Sequence, residues 1–181
     1  MIISAGRNEI FDFALPMGVG LVDMSINLTK FLCENRKNLP SEIIFVGSAG
    51  LYKEGKILKI YESRSAVNCE ISALYELSYS PINYEIIARD SANVSYETIT
   101  NSSTFITTDK KSALKFFERG YFLENMEFFA VLKVAQKFQI PAYGIFCATN
   151  FCDSNAHTDF LKNHAAAKEN LTKYLKTKAL I

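Results

Sequence analysis

The chain has 181 residues, an apolar share of 49%, 22% charged residues and a net charge of +1. This length supports one continuous core without staples, and the composition lies far from that of disordered chains. A nearly neutral chain with no block of like charges has no electrostatic footprint for nucleic acid or an anionic membrane. No apolar run approaches the roughly 20 residues of a membrane-spanning helix.

The N-terminal MIISAGRNEIFDF carries an acidic residue before any long apolar region, so a secretory leader is not expected. Cys33, Cys69, Cys147 and Cys152 lie far apart except for the last pair, whose C-x4-C spacing is neither a zinc nor a redox signature. They read as reduced thiols of a cytoplasmic protein, in which the tripeptide Asn93-Val94-Ser95 is a chance match to a glycosylation site.

From Val19 to Lys37, helical spacing puts Val22, Ile26, Thr29 and Leu32–Cys33 on one face, after a Gly18-x-Gly20 entry. Pro40-Ser41 stops this helix. Glu42–Val46 reads as a buried parallel strand opening into a tight loop, Gly47-Ser48-Ala49-Gly50, at the strand end where α/β sheets keep ligands. Ile57–Tyr61 and Tyr96–Thr100 are strand-like, split by turns at Ser80-Pro81 and Asp90-Ser91. Asp109 suits the cap of a helix ending at Arg119 and closed by Gly120, and Glu124–Gln139 reads as an apolar helix stopped by Pro141. A second buried strand, Ala142–Ala148, precedes an amphipathic helix from Asp159 to Lys176. The order predicts an α/β fold: a single domain over residues 1–181 with a central mixed β-sheet flanked by helices in three layers.

Four separated stretches resemble the nucleoside phosphorylase superfamily, most closely its methylthioadenosine nucleosidase branch. Pro16-Met17-Gly18-Val19-Gly20 is similar to the family's S-G-I-G helix entry, and Ile43 to Gly50 to its I-I-x-x-G-S-A-G strand and loop. Glu124-Asn125-Met126-Glu127 resembles V-E-M-E, and Ala148 to His157 lines up without a gap on I-S-D-x-A-D-x-x-x-H. The similarity is strong from Met126 to Ile181, moderate from Gly18 to Gly55 and faint between. Little sequence precedes the Gly18 motif, so part of the family's first hairpin is expected to be missing.

The resemblance implies a site that cleaves the bond between a purine and ribose through an oxocarbenium-like transition state. On it, Glu127 would accept hydrogen bonds from the ribose hydroxyls, with Met126 packed on the sugar. Ser48, Ala49 and Gly50 would line the pocket, and Phe105-Ile106 would meet the purine. Asn150 stands where adenine-cleaving relatives carry an aspartic acid that protonates the departing base, and an asparagine preceded by threonine resembles relatives acting on 6-oxopurines. Asp153 matches a supporting carboxylate. Glu9 is the candidate for the carboxylate that activates water. Phosphorylases of the hexameric branch hold phosphate with an arginine at the position of Phe45, which disfavours phosphate as co-substrate.

His157 and His164 carry no metal-ligand pattern, so neither a metal nor a cofactor is expected. The expected partners are a small purine nucleoside and, as in relatives, further copies of the chain in a homo-oligomer. Two other readings are a catalytically degenerate nucleoside-binding protein of the same fold and a structural subunit that oligomerises through the apolar Phe116–Phe129 stretch.

Overall fold

A computed structural model of the chain describes residues 1–82, 84–87 and 97–181, with backbone alone at 87 and 97. Its elements in order are β1 (Ile2–Ser4), β2 (Leu15–Pro16), α1 (Gly20–Glu34), β3 (Ile43–Leu51), β4 (Ile60–Val67), α2 (Ile71–Leu74) and β5 (Glu85–Ile87). Then follow β6 (Glu97–Asn101), α3 (Lys110–Glu118), β7 (Leu123–Glu124), α4 (Phe128–Phe138), β8 (Ala142–Phe151) and α5 (Ala156–Thr177). The fold is α/β with a mixed sheet flanked by helices.

β3 and β8 form the centre, parallel and paired along their whole length from Ile43↔Ala142 to Leu51↔Phe151. Both read as near-continuous apolar runs because both faces are covered. Side chains alternate across a strand, so Ile43 and Phe45 of β3 with Ala142, Phe146 and Ala148 of β8 pack into the cluster beneath α1 and α4. Ile44 and Val46 with Tyr143, Ile145 and Cys147 pack on the other side, against Ala167, Leu171 and Leu175 of α5.

The sheet also closes on itself. β8 pairs antiparallel with β4, β4 parallel with β6, β6 parallel with β7, and β7 antiparallel with β3 through Gly50↔Glu124. This ring leaves β1 on the outer side of β3, parallel to it.

Several local expectations change. Helix α1 buries Met24, Leu28 and Leu32, while Val22 and Ile26 are exposed. Both rows have helical spacing, and packing against α4 selects the first. The Gly47–Gly50 loop is instead part of β3, with a register shift between Ala49 and Gly50 that re-aims the strand end. The expected helix from Glu124 starts only at Phe128, because Glu124 is in β7 and the Asn125 Oδ1 accepts from the N–H groups of Glu127 and Phe128 at 3.0 and 2.9 Å. The strand expected at Ile57–Tyr61 runs from Ile60 to Val67, and β8 reaches Phe151. Asp109 does cap α3, accepting from Ser112 N–H at 2.8 Å.

The Phe116–Phe129 stretch offers no apolar interface: Phe116, Phe128 and Phe129 are buried in the chain's own core. The first strand is present, as β1. Tyr96, the Asp90-Ser91 turn and the Asn93–Ser95 tripeptide lie outside the described residues. No described helix is long and apolar enough to cross a membrane.

Candidate functional site

Three parallel strands, β1, β3 and β8, end on the same side, and the segments leaving them enclose a cavity of about 370 Å³. The turn after β1 brings Gly6 to Glu9 to its wall, held by the Glu9 N–H to Gly6 carbonyl bond at 3.0 Å. The end of β3 supplies Ser48, Ala49 and Gly50, and the end of β8 supplies Thr149 and Asn150. The lead into α4 supplies Glu124 to Glu127, and the first turns of α5 add His157 and Phe160. A strand-end crevice of this kind is where open α/β sheets bind ligands.

Two carboxylates, Glu127 buried and Glu9 half-buried, lie close enough in the inner wall for Glu127 to feel the Glu9 charge. Glu9 Oε1 accepts from the Ser48 N–H at 2.6 Å and from the Ser48 hydroxyl. Burial pushes the Glu9 pKa up against these hydrogen bonds and against the nearby Lys168 and His164. Glu127 is 4% exposed, and its Oε1 accepts from Gly20 N–H, the first residue of α1, at 2.8 Å. The helix N-terminus favours a negative charge there, but burial and then the Glu9 charge raise the Glu127 pKa to about 7. Asn125 ties this edge to β3 by donating from Nδ2 to the Ser48 carbonyl at 3.1 Å.

At the other end, Asn150 is held on both sides of its amide. Its Oδ1 accepts from the Thr149 hydroxyl at 2.8 Å, and its Nδ2 donates to the Phe151 carbonyl at 3.0 Å. A buried carboxylate that the sequence reading passed over, Glu124, lies beside it. Glu124 is 5% exposed and accepts from Thr107 N–H at 3.0 Å, Thr107 Oγ1 at 2.6 Å and Tyr52 Oη at 3.1 Å. Burial raises its pKa, opposed by these donors and by the Cys152 thiol. An acid packed before an apolar helix looks like a solvated first-turn residue. Its partners Tyr52, Thr107 and Cys152 are scattered along the chain, so no local signal marked its burial.

Of the residues predicted for the site, Glu9, Ser48, Ala49, Gly50, Ile106, Met126, Glu127 and Asn150 all line this one cavity. Phe105 and Asp153 do not. Phe105 is 75% exposed at the tip of the loop between β6 and α3, and Asp153 instead accepts the Asn155 N–H at 2.8 Å before α5. His157 lines the cavity and His164 is on the outer surface of α5. Among the described residues no group of three or more His, Cys, Asp or Glu side chains is placed to hold a metal ion.

Gly50 leaves room at the Asn150 end of the cavity. A Cβ there would sit 2.8 Å from Cys152 Sγ, closer than real contacts allow, and 3.1 Å from Asn150 Nδ2, tight enough that the amide must shift by a few tenths of an ångström. Gly50→Ala is therefore expected to displace Asn150 and weaken binding of any ligand at this end at least tenfold while the protein stays folded. Isothermal titration with free purine base, alongside a circular dichroism melt, reads both effects.

Solved structures share this architecture across nearly the whole chain. A futalosine hydrolase mutant of Helicobacter pylori superposes with a TM-score of 0.80 at 18% identity, covering 97% of this chain and 95% of that one. A Helicobacter pylori 5′-methylthioadenosine/S-adenosylhomocysteine nucleosidase mutant with 5′-methylthioadenosine in its active site gives 0.79 at 18% identity, with the same coverage. A putative nucleosidase of that type from Borrelia burgdorferi, bound to adenine, gives 0.76 at 19% identity and covers 99% of both chains. No protein-family model and no curated protein sequence matches the chain. At these identities the likeness establishes the fold.

Proposed function

We propose that this cavity hydrolyses the N-glycosidic bond of a purine nucleoside. The observation that carries the reading is the pairing of Glu9, fixed by Ser48, with Glu127 in the wall of a cavity that the amide of Asn150 also lines. One carboxylate takes the proton of an attacking water; the other accepts hydrogen bonds from sugar hydroxyls, each worth about 1.5–3 kcal/mol when charge-assisted. Met126 and Phe160 supply apolar surface for the sugar, and Ile106 for the base. The neighbours named above as nucleosidases and a hydrolase support the same reaction class.

Water rather than phosphate is the nucleophile in this reading. Phe45 is buried against Phe128 and Phe146 and offers nothing to an anion, while two adjacent carboxylates repel one. The reaction needs no metal or other cofactor. In this reading the protein works in the cytoplasm, where unpaired cysteines persist as thiols, and forms a homo-oligomer, which analytical ultracentrifugation reads directly.

A second reading, a nucleoside-binding protein without turnover, is favoured by one observation: Asn150 cannot deliver a proton. Liquid chromatography of adenosine, inosine, guanosine and methylthioadenosine, incubated with and without phosphate, separates the readings. Base release without phosphate is the expected result. Release only with phosphate overturns the choice of water, and binding without release establishes the second reading.

A further inference from the structure

One buried carboxylate of the cavity wall has no part in the proposed chemistry. Glu124, in β7, lies beside Gly50, but its oxygens are turned to Tyr52, Thr107 and Cys152, none of which lines the cavity. The donors on it are fixed in direction. Asn101 accepts the Cys69 N–H on its Oδ1 at 2.8 Å, so its Nδ2 is the atom that meets the Tyr52 hydroxyl oxygen at 2.9 Å. The phenol hydrogen is thereby left for Glu124 Oε1. The Thr107 N–H, which cannot reverse, meets Oε2 at 3.0 Å. Two oxygens that both accept describe a carboxylate and not an amide. An apolar side chain here would avoid burying a charge but would leave the Thr107 N–H without a partner. In the V-E-M-E pattern that Glu124 to Glu127 resembles, that first position is apolar.

What this carboxylate holds is the loop between β6 and α3. Ile106 lines the cavity yet is 49% exposed, so core packing does not fix its place. Before it, the Thr104 N–H donates to Glu70 Oε1 at 2.8 Å in an exposed bond. After it, Thr107 is buried and is bound to Glu124 through both its N–H and its hydroxyl. Resting on the hydrolytic reading for the reaction it serves, we propose that Glu124 is a positioning residue. It acts on the ligand through Thr107, which holds Ile106 at the cavity wall, so that substrate affinity depends on Glu124 while the bond-breaking step does not.

The test measures kcat and KM for the nucleoside that the parent cleaves fastest, and Kd for adenine and hypoxanthine by isothermal titration. The variants are Thr107→Val, Thr107→Ser, Tyr52→Phe and Glu124→Leu, each with a thermal melt. Thr107→Val is expected to raise KM and Kd about three- to tenfold, the worth of one hydrogen bond, with kcat within about twofold of the parent. Thr107→Ser keeps the hydroxyl and is expected to restore both constants. Tyr52→Phe takes a donor from the same carboxylate oxygen without loosening Thr107, so it is expected to lower Tm and leave KM and Kd unchanged. Glu124→Leu is expected to raise KM at least as far as Thr107→Val, and adding Thr107→Val to it is expected to change nothing more. Should Glu124→Leu fail to fold, the two Thr107 variants against Tyr52→Phe decide. A KM that tracks Tm alike in Tyr52→Phe and Thr107→Val overturns the inference, because the cluster would then be structural only. So does a fall in kcat at unchanged KM. A parent that binds a base but cleaves no nucleoside overturns the hydrolytic reading, and the pattern of Kd values then decides on Glu124; a parent that does neither overturns both.

Discussion

Glu9→Gln is expected to lower the rate of base release by about a hundred- to ten-thousand-fold, the range lost with a general base, or about 3–5 kcal/mol of barrier. The substitution keeps the shape and one acceptor oxygen for the Ser48 N–H and hydroxyl, so the β1 turn stays closed on β3. What disappears is the negative charge. That loss has a second readout, because the Glu9 charge is the next contributor after burial to the raised pKa of Glu127. The acid limb of the pH–rate profile in the variant is therefore expected to move to lower pH. A residue that merely braced the turn would change neither the profile nor the ratio of kcat to KM in this way. Retention of more than a tenth of the parent rate, with an unmoved acid limb, removes Glu9 from the mechanism.

The wall that holds Glu9 was legible because its parts are short contiguous motifs. Ile43 to Gly50 and Ala148 to Asn150 are apolar strands ending in small or polar residues, and two such strands in parallel bring their ends together. The same local reading failed where burial depends on distant partners. In α1 the rows Val22–Ile26 and Met24–Leu28–Leu32 are both apolar at helical spacing, and only the position of α4 makes the second the inner one. Phe105 and Ile106 are adjacent, and their resemblance to a base-binding pair does not say which side chain faces the ligand; here Ile106 lines the cavity and Phe105 faces solvent.

The ring of strands lay beyond reach for a related reason. It closes through Gly50↔Glu124 and Ile60↔Cys147, pairings between residues more than seventy positions apart that no periodicity encodes. Glu124 was hidden with them. Its burial follows from β7 entering the ring, which turns a residue that reads as a helix start into a strand residue facing Tyr52, Asn101 and Thr107. The polar cluster around Glu124 is thus a product of topology, whereas the wall around Ser48 is a product of motifs.

Glu127→Gln is expected to stabilise the protein at alkaline pH and leave it unchanged in acid. In the folded chain Glu127 holds its proton up to about pH 7, while the unfolded chain releases it near the ordinary value of 4.5. Between these values the folded state binds the extra proton, so stability falls as pH rises through the window and the full cost is present above it. A shift of this size corresponds to about 3 kcal/mol, of the order of 6–12 °C in Tm for a chain of this length. Glutamine keeps an acceptor for the Gly20 N–H and carries no charge to bury. Urea denaturation at pH 4 and pH 8 is expected to show matching midpoints at the first and a higher midpoint for the variant at the second. The same charge is what grips the sugar hydroxyls, so the stabilised variant is expected to lose about tenfold or more in kcat/KM. Equal stability at both pH values would mean that Glu127 is solvated in solution, and the paired-carboxylate wall would then not be the feature that drives the reaction.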